Sequence, residues 1–184
     1  MMAKRKTLNI RETTPADIKD ILHVEREAFQ RDSEVNITRD MLSDPSAEPR
    51  VSLLAFVENQ PVGHILFTRG YIEGNQGIGV SFLAPLAVIP KFQKQGIGGA
   101  LIKEGITRLS KIGVDLVFLL GHIEYYPRFG FAPASNLGFQ PTYPIPSEVA
   151  DAWMVLPLRP DVIGTISGKV ICCDVMNKPE VWHQ

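Results

Sequence analysis

One short stretch of this 184-residue sequence gathers three glycines and two lysines: Lys91-Phe92-Gln93-Lys94-Gln95-Gly96-Ile97-Gly98-Gly99. It follows an apolar run, Phe82 to Ile89, and Pro90, and leads into a helical pattern in which Ile97, Leu101, Ile106, Leu109 and Ile112 recur at steps of three to five residues. Strand, loop and helix therefore meet at the glycines. The start of a helix carries four backbone N–H groups without intrahelical partners and the positive end of the helix dipole. Gly96, Gly98 and Gly99 have no Cβ to keep a ligand from those N–H groups, and Lys91 and Lys94 add mobile positive charge. The chemistry of such a place is anion binding, and above all phosphate binding.

Spacing separates the phosphate motifs. A Walker loop needs Gly-Lys-Ser/Thr, and no Lys-Ser/Thr pair follows these glycines. A dinucleotide fingerprint needs a third glycine where Leu101 stands, and a loop close behind its strand where six residues, Lys91 to Gly96, intervene. The remaining pattern is Gln93-Lys94-Gln95-Gly96-Ile97-Gly98 after Val88-Ile89-Pro90, followed by Tyr126-Pro127-Arg128-Phe129-Gly130-Phe131. With both segments in this order, the sequence resembles the GNAT superfamily of N-acetyltransferases over roughly residues 8 to 135.

The resemblance implies acetyl-CoA as co-substrate. Gln93, Lys94, Gln95, Gly96, Ile97, Gly98 and Gly99 would hold its diphosphate, and the main chain of Leu86, Ala87 and Val88 its pantetheine arm. Arg128 would lie near its phosphates or cap the short helix of the tyrosine motif. It also implies direct transfer of an acetyl group to an amine, with Tyr126 as the acid that protonates the departing thiolate and Tyr125 as its immediate rival. A phenol with an ordinary pKa of about 10 is protonated at neutral pH and suits that task. An alkyl ammonium with a pKa near 10.4 must first lose a proton. Glu27, at the end of the first helix, is the first choice of base, with Glu25, His64, His122 and Glu124 as other candidates. His64 also reads as a structural histidine.

The elements that must position these groups can be read in order. Leu8 to Arg11 alternates as a strand, and Thr14-Pro15 opens an amphipathic helix through Phe29. A short helix is expected at Thr38 to Leu42, then a hairpin of Val51 to Val57 with Pro61 to Tyr71, then a strand from Val80 to Ile89. Pro85 cannot donate to a sheet ladder, so that strand is expected to bulge there. The helix from Ile97 to Ile112 returns to a strand at Leu116 to Leu120, which implies a right-handed crossover and a parallel pair. Glu124 to Phe129 reads as a short helix closed by Gly130, and Leu137 to Pro146 as a loop stiffened by three prolines, with Tyr143, Pro144 and Pro146 suited to narrowing a pocket. Ala152 to Leu158 and Lys169 to Val175 read as strands pairing at a C-terminal edge, an edge that could serve a homodimer, and Asn177 to Gln184 as a fraying end.

The expected whole is a single domain over residues 1–184, with a core at 8–135 and C-terminal strands and loop at 136–176. Its class is α/β (α+β), a mixed, mostly antiparallel sheet flanked by helices. A hydrophobic content of 45% and a net charge of −1 call for neither nucleic acid nor an anionic membrane. The segment Lys4-Arg5-Lys6 reads as a solvated tail. No apolar stretch approaches the roughly 20 residues that span a bilayer, and the adjacent Cys172 and Cys173 read as reduced thiols, so a cytoplasmic location is expected. Metal-ligand spacing is absent, as is the Gly-x-Ser-x-Gly of a serine nucleophile, so neither a metal nor a Ser-His-Asp site is expected. The acceptor is expected to be a small-molecule primary amine, with transfer to a protein or peptide amine, or acyl-CoA binding without catalysis, as the alternatives.

Overall fold

The structure is a computed structural model and describes residues 6–183; Lys4 and Arg5 of the basic segment lie outside them. Strand β1 (Leu8–Glu12) leads through a 3-10 turn into helix α1 (Ile18–Phe29) and helix α2 (Asp32–Leu42). Helix α2 begins six residues earlier than Thr38, because Asp32 and Glu34 sit in its first turn, where the helix dipole favours acids. Strands β2 (Val51–Val57), β3 (Gln60–Ile72) and β4 (Asn75–Val88) form an antiparallel meander. Helix α3 (Ile97–Lys111) then crosses to β5 (Leu116–Leu120), which runs parallel to β4 as expected.

Beyond β5 come β6 (Ala132–Pro133), β7 (Phe139–Gln140), β8 (Trp153–Pro157), β9 (Gly168–Ile171) and α4 (Pro179–Trp182). The sheet order is β1-β2-β3-β4-β5-β8-β6, with β9 joining the end of β3 and pairing β7. The two late strands therefore do not pair with each other. β8 completes β5, and β9 hydrogen-bonds to Tyr71 and Ile72, so the expected open C-terminal edge does not form. Of the end expected to fray, Gln184 lies outside the described residues, and Trp182 is buried against Phe82 and Trp153. Upstream of it, Ser46 Oγ accepts the Asp174 N–H at 2.8 Å and the Asp44 carboxylate accepts the Val175 N–H at 3.0 Å.

Strand alternation sends neighbouring β3 residues to opposite sides. A Cβ built on Gly63 would meet Leu101 and Ile97 of α3, while His64 turns to Glu25 of α1. Helices α1 and α3 thus cover opposite faces of the same strands. Among the described residues, no helix is long and apolar enough to cross a membrane.

One deviation opens the sheet. β4 and β5 pair only from Val80 to Phe82 and from Leu116 to Phe118. After that β4 stays with β3 as far as Val88, and β5 stays with β8 as far as Leu120. In the same stretch β4 carries one extra residue: Leu83 to Leu86 takes three steps opposite the two from Phe67 to Ile65. This is the bulge expected at Pro85. At the closed end, the Asp115 carboxylate accepts the Gly79 N–H at 2.8 Å and pairs with Arg159 at 2.6 Å, tying β4, β5 and the chain after β8 together.

Helix α3 lies close on the sheet because Gly105 has no side chain where the Phe67 ring sits. A methyl there would overlap the ring. Alanine favours a helix over glycine by about 1 kcal/mol, but overpacking costs about 1–3 kcal/mol. Gly105→Ala is therefore expected to lower Tm by a few degrees in a thermal melt, and adding Phe67→Leu should recover most of the loss; a rise in Tm for Gly105→Ala alone would contradict the packing.

Candidate active-site cleft

The first helical turn of α3 faces the opening between β4 and β5. Gly96 at its N-cap has φ 83°, and Lys94 has φ 61°, so the left-handed torsions expected of this loop occur at these two residues. The first intrahelical bond runs from the Ala100 N–H to the Gly96 carbonyl at 3.0 Å, which leaves the N–H groups of Ile97, Gly98 and Gly99 ahead of the helix ladder. The Gln93 side chain donates to the Val88 carbonyl at 3.0 Å and fixes the loop to the end of β4. A Cβ on Gly98 would lie 2.7 Å from the Tyr125 hydroxyl, so this position has to be glycine for the tyrosine to reach over the loop.

A cleft of about 920 Å³ extends from this loop. Leu86, Val88, Gln93, Lys94, Gly96, Ile97, Gly98, Gly99, Tyr126 and Arg128 all line it, which brings together ten of the residues singled out from the sequence. Ala87 and Gln95 are absent from the lining. Ala87 faces the other side of β4, where it pairs with His64 in register, and the Gln95 side chain folds back onto the Lys91 carbonyl at 3.3 Å. Phe92 and Lys103 also line the cleft and escaped the sequence reading. For Lys103 the signal was present, since it stands four residues after Gly99 on the same helical face.

The two tyrosines separate by position. Both belong to the turn after β5, where the N–H groups of Tyr125 and Tyr126 reach the His122 carbonyl and Gly130 closes the turn with φ 97°. Tyr125 points to the glycine loop, and the Arg128 guanidinium lies 5.0 Å above its ring. The Arg128 guanidinium also donates to the Glu124 carbonyl at 3.4 Å, so it braces the turn. Tyr126 packs deeper, against Gly121 at the end of β5 and the Phe131 ring. Burial pushes its phenol up to about 12, because the phenolate would be poorly solvated there. Its hydroxyl is therefore a proton donor throughout the neutral range.

The candidate bases are scattered. Glu27 is exposed on α1 and does not reach the cleft, correcting its placement beside the acceptor: two residues on a helix are about 200° apart, so Glu27 faces solvent while Glu25 faces the core. Glu25 and His64 are both fully buried and joined by a 2.6 Å hydrogen bond, away from the cleft lining. Burial raises the Glu25 carboxyl against the pull of His64. Of the five groups considered, His122 lines the cleft. Tyr143 turns toward α4, donating to the Asn177 carbonyl at 3.3 Å, and so does not narrow this opening as expected. Cys172 and Cys173 are free and buried, and burial pushes the Cys172 thiol up to about 11, which leaves it protonated and inert. Among the described residues, no group of three or more His, Cys, Asp or Glu is placed to hold a metal ion.

Known proteins resemble this chain in sequence and in fold. The model of the acetyltransferase (GNAT) family matches residues 16–131. The uncharacterized N-acetyltransferase YjhQ of Escherichia coli (strain K12) is 44% identical over 164 residues, covering 88% of this chain and 90% of that one. A crystal structure of the GNAT family N-acetyltransferase YhbS from Escherichia coli in complex with CoA matches with a TM-score of 0.86 at 26% identity, over 97% of this chain and 96% of that one. A GNAT family acetyltransferase from Brucella melitensis in complex with acetyl-CoA matches with a TM-score of 0.73 at 29% identity, over 94% and 99% of the two chains.

The burial of Tyr126 can be checked directly. Alkaline titration followed at 295 nm should show a phenol ionising near pH 12 that disappears in Tyr126→Phe. Loss of a component ionising at the ordinary value of about 10 would place that ring in solvent instead.

Proposed function

The chain belongs to the acetyltransferase (GNAT) family, and on that premise we propose that it moves an acetyl group from acetyl-CoA to the primary amine of a small molecule by direct attack in a ternary complex. The observation that carries the reading is that one cleft brings three features together: free N–H groups at the start of α3, the parted strands β4 and β5, and the half-buried Tyr126 phenol. The residues fit the cofactor. The N–H groups of Ile97, Gly98 and Gly99, with Lys94 and Lys103, suit a diphosphate, and the β4 main chain from Leu86 to Val88 suits an amide-bearing arm. When bound, acetyl-CoA supplies an acyl group activated as a thioester.

The chain's own groups do the rest. The bulge at Pro85 and the absence of β5 beside Leu86 to Val88 leave β4 main-chain groups available in the cleft. Tyr126 would give its proton to the departing thiolate, with Tyr125 and Arg128 beside the glycine loop. His122, exposed and lining the same cleft, would take the proton of the acceptor ammonium. A volume of about 920 Å³ is that of an ordinary small-molecule site, and much of it is needed for the cofactor's arm, which favours a small acceptor over a folded protein.

A second reading, transfer to a peptide, draws on one observation. Leu120, Ile123 and Val149 are apolar and 40%, 57% and 49% exposed around the end of β5, where the Gly121 N–H binds the Ala152 carbonyl. Free-thiol release measured against a panel of small amines and of peptides separates the two, and no release with either leaves a binding module without chemistry. Tyr126→Phe is expected to lower kcat by about 100-fold or more with CoA affinity nearly unchanged, and activity within twofold of the parent would remove its role as acid. Because the phenol is raised to about 12, kcat should show no alkaline loss up to pH 10 from this group. Gly98→Glu, which brings a carboxylate and a side chain against Tyr125, should abolish the heat of CoA binding in calorimetry.

A further inference from the structure

A serine, a histidine and an acid do meet in this fold, assembled from three separate elements rather than from a local motif. Ser52 on β2, His64 on β3 and Glu25 on α1 lie in one hydrogen-bonded chain. Thr13 Oγ1 donates to Ser52 Oγ at 2.8 Å. Ser52 Oγ lies 2.9 Å from His64 Nε2 and His64 Nδ1 lies 2.6 Å from Glu25 Oε1; with the ring proton on Nδ1, Nδ1 donates to Glu25 and Nε2 is left to accept from the serine hydroxyl. Nucleophile, base and orienting acid thus stand in the order and at the distances that activate a hydroxyl.

The serine is also at a cavity. Thr13 and Ser52 line a second opening of about 460 Å³, which shares no lining residue with the cleft. Its wall is apolar at Ile18, Ile21 and Leu42, and Arg50, two residues before Ser52 on the chain, supplies a guanidinium. Arg50 is held by Glu48 at 3.0 Å and the Asp44 carbonyl at 3.4 Å.

We propose that this second cavity hydrolyses short-chain carboxylic esters, with Ser52 as nucleophile, His64 as general base and Glu25 as the residue that positions the ring. The Ser52 Oγ–acyl bond forms while the carbonyl electron pair moves onto its oxygen, toward Arg50, and the hydroxyl proton passes to His64 Nε2. The ester C–O bond breaks, and His64 returns the proton to the leaving alcohol. Water repeats the path on the acyl-serine, giving the carboxylic acid and free Ser52. The acyl chain would lie on Ile18, Ile21 and Leu42.

The test uses the native full-length protein and diisopropyl fluorophosphate, with the adduct mapped by peptide mass spectrometry. One adduct at Ser52 is expected, lost when the protein is unfolded in urea before exposure. p-Nitrophenyl acetate turnover should fall at least about 100-fold in Ser52→Ala, with the heat of CoA binding unchanged as the sign that the variant is folded. His64→Gln should slow adduct formation to a similar degree; should that variant fail to fold, the mapped adduct on the native protein decides alone. Absence of an adduct at Ser52 in the native protein, an adduct that persists in urea, or equal ester turnover in Ser52→Ala would overturn the proposal.

Discussion

The short parallel pairing of β4 and β5 is the constraint on which the rest depends. Three residues on each strand are hydrogen-bonded, and then the strands separate, each kept in place by its other neighbour. An interior sheet that opens exposes main-chain polar groups, which must find partners. Here the opening is held at its closed end by Asp115 and Arg159 and bounded at its wide end by the α3 loop and the tyrosine turn. Asp115 stands near where a ribose-binding acid would in a dinucleotide fold, yet its carboxylate is committed to this clasp.

Electrostatics within the cleft follow from where each backbone element ends. The start of α3 supplies positive potential without a buried ionic side chain, and the lysines beside it remain exposed. At the other end the effect is desolvation, which keeps the Tyr126 phenol protonated. One element therefore draws in an anion and another withholds a proton, and neither depends on a partner charge.

Much of this was legible from the sequence, for physical reasons. Gln93 to Gly99 announced itself because close approach to the backbone demands glycine at Gly98, a left-handed torsion favours it at Gly96, and strand, loop and helix follow one another locally. The parallel return to Leu116 and the bulge at Pro85 were likewise local, set by helix length and by a missing N–H. The pairing of β8 and β9 was not, because alternation within a strand says nothing about which edge it will join. The Thr13-Ser52-His64-Glu25 chain was equally hidden: its members are separated by 39, 12 and 39 positions, and only the register of β2 on β3 and the docking of α1 brings them together. Glu25 already falls on the apolar stripe of Ile18, Ile21, Leu22, Ala28 and Phe29 while Glu27 does not, and this helical phase separates the buried acid from the solvated one.

The contacts of Asp44 and Ser46 with Asp174 and Val175 span 131 and 128 positions. They can form only once Asp174 and Val175 have been synthesised. Until then the face bearing Phe82 and Trp153 lacks the Trp182 ring that covers it. The aromatic surface therefore closes only when the segment from Asp174 to Trp182 has docked.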